Sequence, residues 1–160
     1  MLIVMVLLVR HAKAGSRSNW SGDDAFRPVS PAGRRQADAL VKTLTPYGPV
    51  RILSSPFTRC VQTVQPLGLA LDTRVEDEPA LAEGKGHWAL SLVRRVREQY
   101  ADDCVLLCTH GDVVLEILNE LVETDGVDLG PHPQWQKGST WLLKASGERF
   151  VGADYLPPPT

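Results

Sequence analysis

Residues 2–9, LIVMVLLV, form one unbroken apolar run rich in β-branched side chains. Such a run fits a strand covered on both faces, the usual state of a central strand in a parallel sheet. Arg10-His11-Ala12-Lys13-Ala14 follows at once. A competing reading is a secretory signal, with Ala-Lys-Ala as its cleavage site. No Lys or Arg precedes the run, where a signal carries positive charge, and Arg10 and His11 interrupt the approach to the cleavage point. A membrane-crossing helix needs about 20 apolar residues, and no stretch of the chain supplies them. The strand reading prevails, and it delivers Arg10 and His11 to the strand's carboxyl end.

The same alternation continues downstream. Residues 15–29 are rich in Gly, Ser, Asn, Asp and Pro and predict a loop. SPAGRRQADALVKTL predicts a helix, with Ser30 as N-cap, Pro31 at the first helical position, and Ala37, Leu40, Val41 and Leu44 on one face. VRILSS (50–55) predicts a second strand, followed by a helix from about Pro56 to Gly68. Residues 71–86 read as irregular, and 87–100 as a helix with Leu92, Val93, Val96 and Tyr100 inward. CVLLCT predicts a third strand and GDVVLEILNELV the helix after it. A Gly/Pro loop at 124–138 leads to two late strands, STWLLKA and RFVGADYL, pairing near the sheet edge. The pattern predicts an α/β fold: a three-layer α/β/α sandwich with a mostly parallel central sheet, in one domain spanning 1–160.

Composition narrows the function classes. A formal net charge of −2 over 160 residues provides no broad basic field for a nucleic acid polymer, so any anion site must be local. Cys60, Cys104 and Cys108 are an odd set without C-x-x-C spacing, which points to a reducing, cytoplasmic compartment rather than a disulfide framework. Cys104 and Cys108 lie four apart and face one side of a strand, as small buried hydrophobes do, and no second pair completes a zinc set. Neither a membrane partner nor a cofactor is implied.

The chemistry lies just past the predicted strand ends. Arg10-His11 follows strand one, Ser54-Ser55 follows strand two with Arg59 one helical turn on, and Thr109-His110-Gly111 follows strand three. In open α/β sheets ligands bind beyond the carboxyl ends of strands. If these strands are parallel neighbours, two histidines and two arginines meet in one crevice. Two permanently charged guanidiniums repel a metal cation but match a phosphate, and the helix opening at Gly111 adds backbone N–H donors. Neutral imidazole is a competent nucleophile, and the arginines supply the charge neutralisation that phosphoryl transfer requires.

LVRHAKAG, SSPFTRCVQT and CTHGD together resemble the histidine phosphatase superfamily, also called phosphoglycerate-mutase-like. The middle block aligns Ser55, Arg59, Gln62 and Thr63, and VSPAGRRQA aligns Gly33, Gln36 and Ala37 with a further family segment. The resemblance implies a metal-independent phosphatase in which His11 is transiently phosphorylated. Arg10 and Arg59 then clamp the phosphate, and His110 stabilises the transferring charge. PALAEG makes Glu83 the candidate general acid, with Glu78 and Asp112 as local rivals. Those roles place the activity optimum on the acid side of neutrality, with His11 neutral and Glu83 protonated. Compact length resembles SixA-type phosphohistidine phosphatases, and RHAKAG…W…DD…RP resembles phosphatase domains attached to actinobacterial Nudix hydrolases. The implied substrate is a phosphorylated protein or a small phosphorylated metabolite or nucleotide. Lys13, Ser55 and Trp20 are candidate substrate contacts, Trp20 by stacking on a base. A phosphate-binding module without turnover remains the alternative. A dinucleotide binder lacks its G-x-G-x-x-G after strand one.

Overall fold

A computed structural model of the chain describes residues 3–147 and 149–160. Six strands form one sheet: β1 (Ile3–Arg10), β2 (Arg51–Ser54), β3 (Val75–Asp77), β4 (Val105–Thr109), β5 (Thr140–Ser146) and β6 (Arg149–Leu156), in the order β3-β2-β4-β1-β5-β6. β3, β2, β4 and β1 run parallel, while β5 and β6 return antiparallel on the β1 side. Four α-helices complete the sandwich: α1 (Pro31–Leu44), α2 (Thr58–Leu71), α3 (Gly86–Gln99) and α4 (Gly111–Asp125).

The apolar runs are continuous because the inner strands are covered twice. Leu7 and Val9 of β1, with Leu106 and Cys108 of β4, pack against Leu40 and Leu44 of α1 and Val64 and Leu67 of α2. Leu8, Val105 and Leu107 pack with Leu92 and Val96 of α3 and Ile117 and Leu121 of α4. Each such side chain contributes about 1.5–3 kcal/mol when fully buried. Cys104 and Cys108 both lie in the first of these clusters.

The helix punctuation reads well at α1: Ser30 Oγ accepts the Gly33 N–H at 3.1 Å, and Pro31 opens the helix. It reads less well at α2, which starts at Thr58 and runs through Gly68 to Leu71. Gly68 is a packing glycine, since a Cβ there would stand 2.8 Å from the Thr73 carbonyl oxygen. Asp72 in the left-handed region (φ 52°) ends the helix instead. The segment read as irregular holds β3, which pairs with β2. None of the described helices is long and apolar enough to cross a membrane.

Candidate active site

Three parallel strand ends lie side by side. Arg10 is in register with Thr109, and the His11 N–H donates to the Thr109 carbonyl at 3.0 Å. The Ser55 N–H donates to the Cys108 carbonyl at 2.9 Å, so the β2 exit joins them. His11, His110 and Arg10 thereby line one cavity of about 630 Å³, together with Arg17, Arg27, Glu83, Asp112 and Lys137. Leu115 and Trp135 are its large apolar side chains. At Gly111 the backbone must come close: a Cβ would sit 2.7 Å from Cζ of Arg10. Among the described residues no group of three or more His, Cys, Asp or Glu side chains is arranged to hold a metal.

His11 is 6% exposed, and its Nδ1 lies 2.8 Å from the Ala12 carbonyl oxygen. A carbonyl only accepts, so Nδ1 carries the proton and Nε2 keeps its lone pair. Burial pushes the imidazole pKa down to about 3; the Ala12 hydrogen bond opposes that shift, and His110, Arg59 and Arg10 add to it. His11 is therefore neutral at ordinary pH. The same loop is braced by Thr63, whose Oγ1 accepts the Ala12 N–H at 2.8 Å and donates to the Arg59 carbonyl at 2.7 Å.

The His110 ring stands edge-on to His11 at a centroid distance of 5.4 Å. Its Nε2 is 2.9 Å from Ser55 Oγ and 3.5 Å from Cys60 Sγ. Ser55 Oγ also accepts the Phe57 N–H at 3.2 Å. The Ser55 hydroxyl is fully buried and engages Nε2, so Nδ1 is the ring nitrogen left for other partners. That Nδ1 is buried with no partner among the described residues, as are Nε of Arg10 and Nε of Arg59. Buried donors without acceptors cost about 1–3 kcal/mol each, and together they invite an anion.

Arg10 is aimed by its Nη1 bond to the Trp135 carbonyl at 2.8 Å. Arg59 is fully buried. Its Nη1 donates to the Asp24 carbonyl at 3.0 Å, and Nη2 meets the Asp24 and Glu83 carboxylates at 3.1 and 3.5 Å. Glu83 also meets Arg17 at 3.2 Å. Its rival Asp112 lines the cavity too, and Asp112 Oδ2 accepts the Gly84 N–H at 2.8 Å. Glu78 is not among the lining residues.

The structure thus brings together Arg10, His11, Glu83, His110 and Gly111, with Arg59 directly behind the acidic side chains. Three expected substrate contacts are revised. Ser55 is 0% exposed and acts on His110 instead. Lys13 lines a neighbouring cavity of about 830 Å³ rather than this one. The Trp20 indole is tied to the Asp23 carbonyl at 2.9 Å within its own loop and does not line the site cavity. Asp24, Arg17, Arg27, Trp135 and Lys137 were not legible as site residues. Asp24 and Arg27 stood in the sequence only as letters of the DD…RP stretch, and the 35-residue separation between Asp24 and Arg59 hides their contact.

Three comparisons bear on this geometry. The model of the "Histidine phosphatase superfamily (branch 1)" matches residues 6–89, just over half the chain. An 8-oxo-(d)GTP phosphatase from Mycolicibacterium smegmatis is 37% identical over 159 residues, covering 96% of this chain and 48% of that protein. The chain therefore spans about half the length of that relative. Among solved structures, the protein histidine phosphatase SixA complexed with tungstate superposes with a TM-score of 0.72 at 19% identity, covering 98% of this chain and 94% of that one. A mycobacterial glucosyl-3-phosphoglycerate phosphatase gives a TM-score of 0.70 at 16% identity, with 94% and 95% covered. At such identities the two structures speak for the α/β fold alone. Family model, motif placement and fold agree: the chain belongs to the histidine phosphatase superfamily, branch 1.

Proposed function

We propose that the protein is a phosphatase that transfers a phosphoryl group to Nε2 of His11 and then to water, without a metal. One observation carries this reading: a buried imidazole held neutral, its Nδ1 proton engaged by the Ala12 carbonyl, beside Arg10, Arg59 and His110. Phosphate oxygens replace Asp24 and Glu83 on Arg59 and engage Nε of Arg10 and Nδ1 of His110. The Nε2 lone pair attacks phosphorus, and the bond to the leaving oxygen breaks. Glu83, released from Arg59 and entering the step protonated, gives that oxygen its proton, then takes one from the water that cleaves the P–N bond, which restores it for the next cycle. His110 and the arginines stabilise charge on the transferring group throughout. Three free, buried cysteines suit a reducing, cytoplasmic setting.

For the substrate, the 37% identity to a protein named for 8-oxo-(d)GTP favours a nucleotide phosphate over a phosphohistidine protein. Wild type with an aryl phosphate and a chelator should release inorganic phosphate, and His11→Ala should not. Equal rates in the two proteins, or activity only with added metal, would refute the mechanism. Phosphate binding without release of phosphate from any substrate would leave a non-catalytic binding module.

A further inference from the structure

The site cavity and the neighbouring cavity share one lining residue, Lys137. Its backbone is fixed on both sides. The Lys137 carbonyl accepts from Nε2 of Gln36 at 3.4 Å, while Oε1 of the same amide accepts the Lys13 N–H at 2.9 Å. The next residue, Gly138, donates its N–H to the carbonyls of Arg10 and His11 at 3.1 and 3.0 Å. Gly138 has φ +85°, and a Cβ there would press on the Gln36 amide at 3.0 Å. Lys137 is thus mounted on the strand end that carries the nucleophile. Its ammonium pKa is lowered, chiefly by partial burial and further by Arg10, Arg27, Arg59 and Arg17.

The charges around it are unevenly matched. Among the described residues, Arg17 and Arg27 each have a carboxylate within 4 Å, and Arg10 and Lys137 have none. A transferred phosphoryl group occupies Arg10. Lys137 is left in the cavity lining without an anion, and Trp135 adds an apolar surface to the same lining.

We propose that Lys137 binds the phosphate next to the one transferred, and that the leaving group is a nucleoside monophosphate whose ring rests on Trp135. This rests on the phosphatase reading above and makes the substrate a nucleoside diphosphate. The terminal phosphorus bonds to His11 Nε2 as its bond to the bridging oxygen breaks. The electron pair stays on that oxygen, which takes the proton from Glu83 and leaves as part of the nucleoside monophosphate. Water then cleaves the P–N bond, giving orthophosphate and free His11. A lone Lys–phosphate contact acts as a point charge, so removing it weakens a diphosphate far more than a simple aryl ester.

The test compares GDP and an aryl phosphate on wild type, Lys137→Ala and Lys137→Arg. In Lys137→Ala the ratio of kcat/KM for GDP to that for the aryl ester should fall about tenfold or more, the size of one charge-assisted contact. The change should appear in KM, and Lys137→Arg should restore most of it. An unchanged ratio overturns the proposal, as does a larger loss on a phosphohistidine protein than on GDP. A separate binding arm uses His11→Ala. That protein should bind GDP more tightly than GMP, and adding Lys137→Ala should erase the preference. Equal binding of GDP and GMP by His11→Ala refutes the subsite even if turnover is found. Wild type that hydrolyses nothing, yet shows the Lys137-dependent preference, refutes the phosphatase reading while keeping the subsite.

Discussion

Ser55 Oγ stands 2.9 Å from Nε2 of His110, and the opposite ring nitrogen, Nδ1, is buried with no partner among the described residues. The serine thus orients the ring that stands edge-on to His11 at 5.4 Å. It also receives the Phe57 N–H at the start of α2, the helix that carries Arg59.

Ser55→Ala removes the hydroxyl that holds Nε2 of His110. The expected result is a fall in kcat of about tenfold, the worth of one buried hydrogen bond. KM should change little, because Arg10 and Arg59 still hold the phosphate. Steady-state kinetics checks this: kcat should fall with KM nearly unchanged, and Ser55→Thr, which keeps the hydroxyl, should recover part of it. A change confined to thermal stability would assign Ser55 a merely structural role.

His11 makes stability depend on pH in a defined direction. Its pKa is about 3 in the folded chain and about 6.5 when unfolded, so the unfolded state takes up the proton first. The native state keeps its full advantage above pH 6.5 and loses it as pH falls toward 3. Between pH 7.5 and 4.5 the loss from this residue is about 2–3 kcal/mol. Urea midpoints for wild type and His11→Gln over that range measure it, and the variant should lose less by that amount. Parallel losses would mean that His11 is not held neutral by burial. The same value implies that an acid limb of activity above pH 4 belongs to a group other than His11.

Gly111→Ala places a methyl 2.7 Å from Cζ of Arg10. Arg10 must then leave its bond to the Trp135 carbonyl, and one phosphate clamp is lost. We expect kcat/KM to fall by about a hundredfold, two charge-assisted bonds' worth, with the circular dichroism spectrum retained. Unaltered kinetics would place Arg10 outside the phosphate site.

Much of this was readable because the site hangs on elements with strong local signals. The apolar runs of β1 and β4 are covered on both faces, so their ends, and Arg10, His11 and His110 with them, follow from sequence order. Gln36, Gln62 and Thr63 were visible as motif letters, but their work was not. Gln36 spans Lys13 and Lys137, Gln62 Oε1 accepts the Val29 N–H at 3.0 Å, and Thr63 braces Ala12. Gly68 misled because a glycine that permits close packing looks like one that ends a helix. β3 is three half-exposed or exposed residues, Val-Glu-Asp, and exists by pairing with β2 rather than by its own pattern. Lys137 carried no signal at all, since its place depends on bonds from Gly138 to the carbonyls of residues more than a hundred positions earlier.

The most direct measurement is a rapid quench of the enzyme with substrate labelled in its transferable phosphate, followed by mapping of the labelled peptide. The account predicts a phosphoryl group on His11 that is stable to alkali and lost in acid, and none in His11→Ala. Label on any other residue, or turnover by His11→Ala at the wild-type rate, would contradict it.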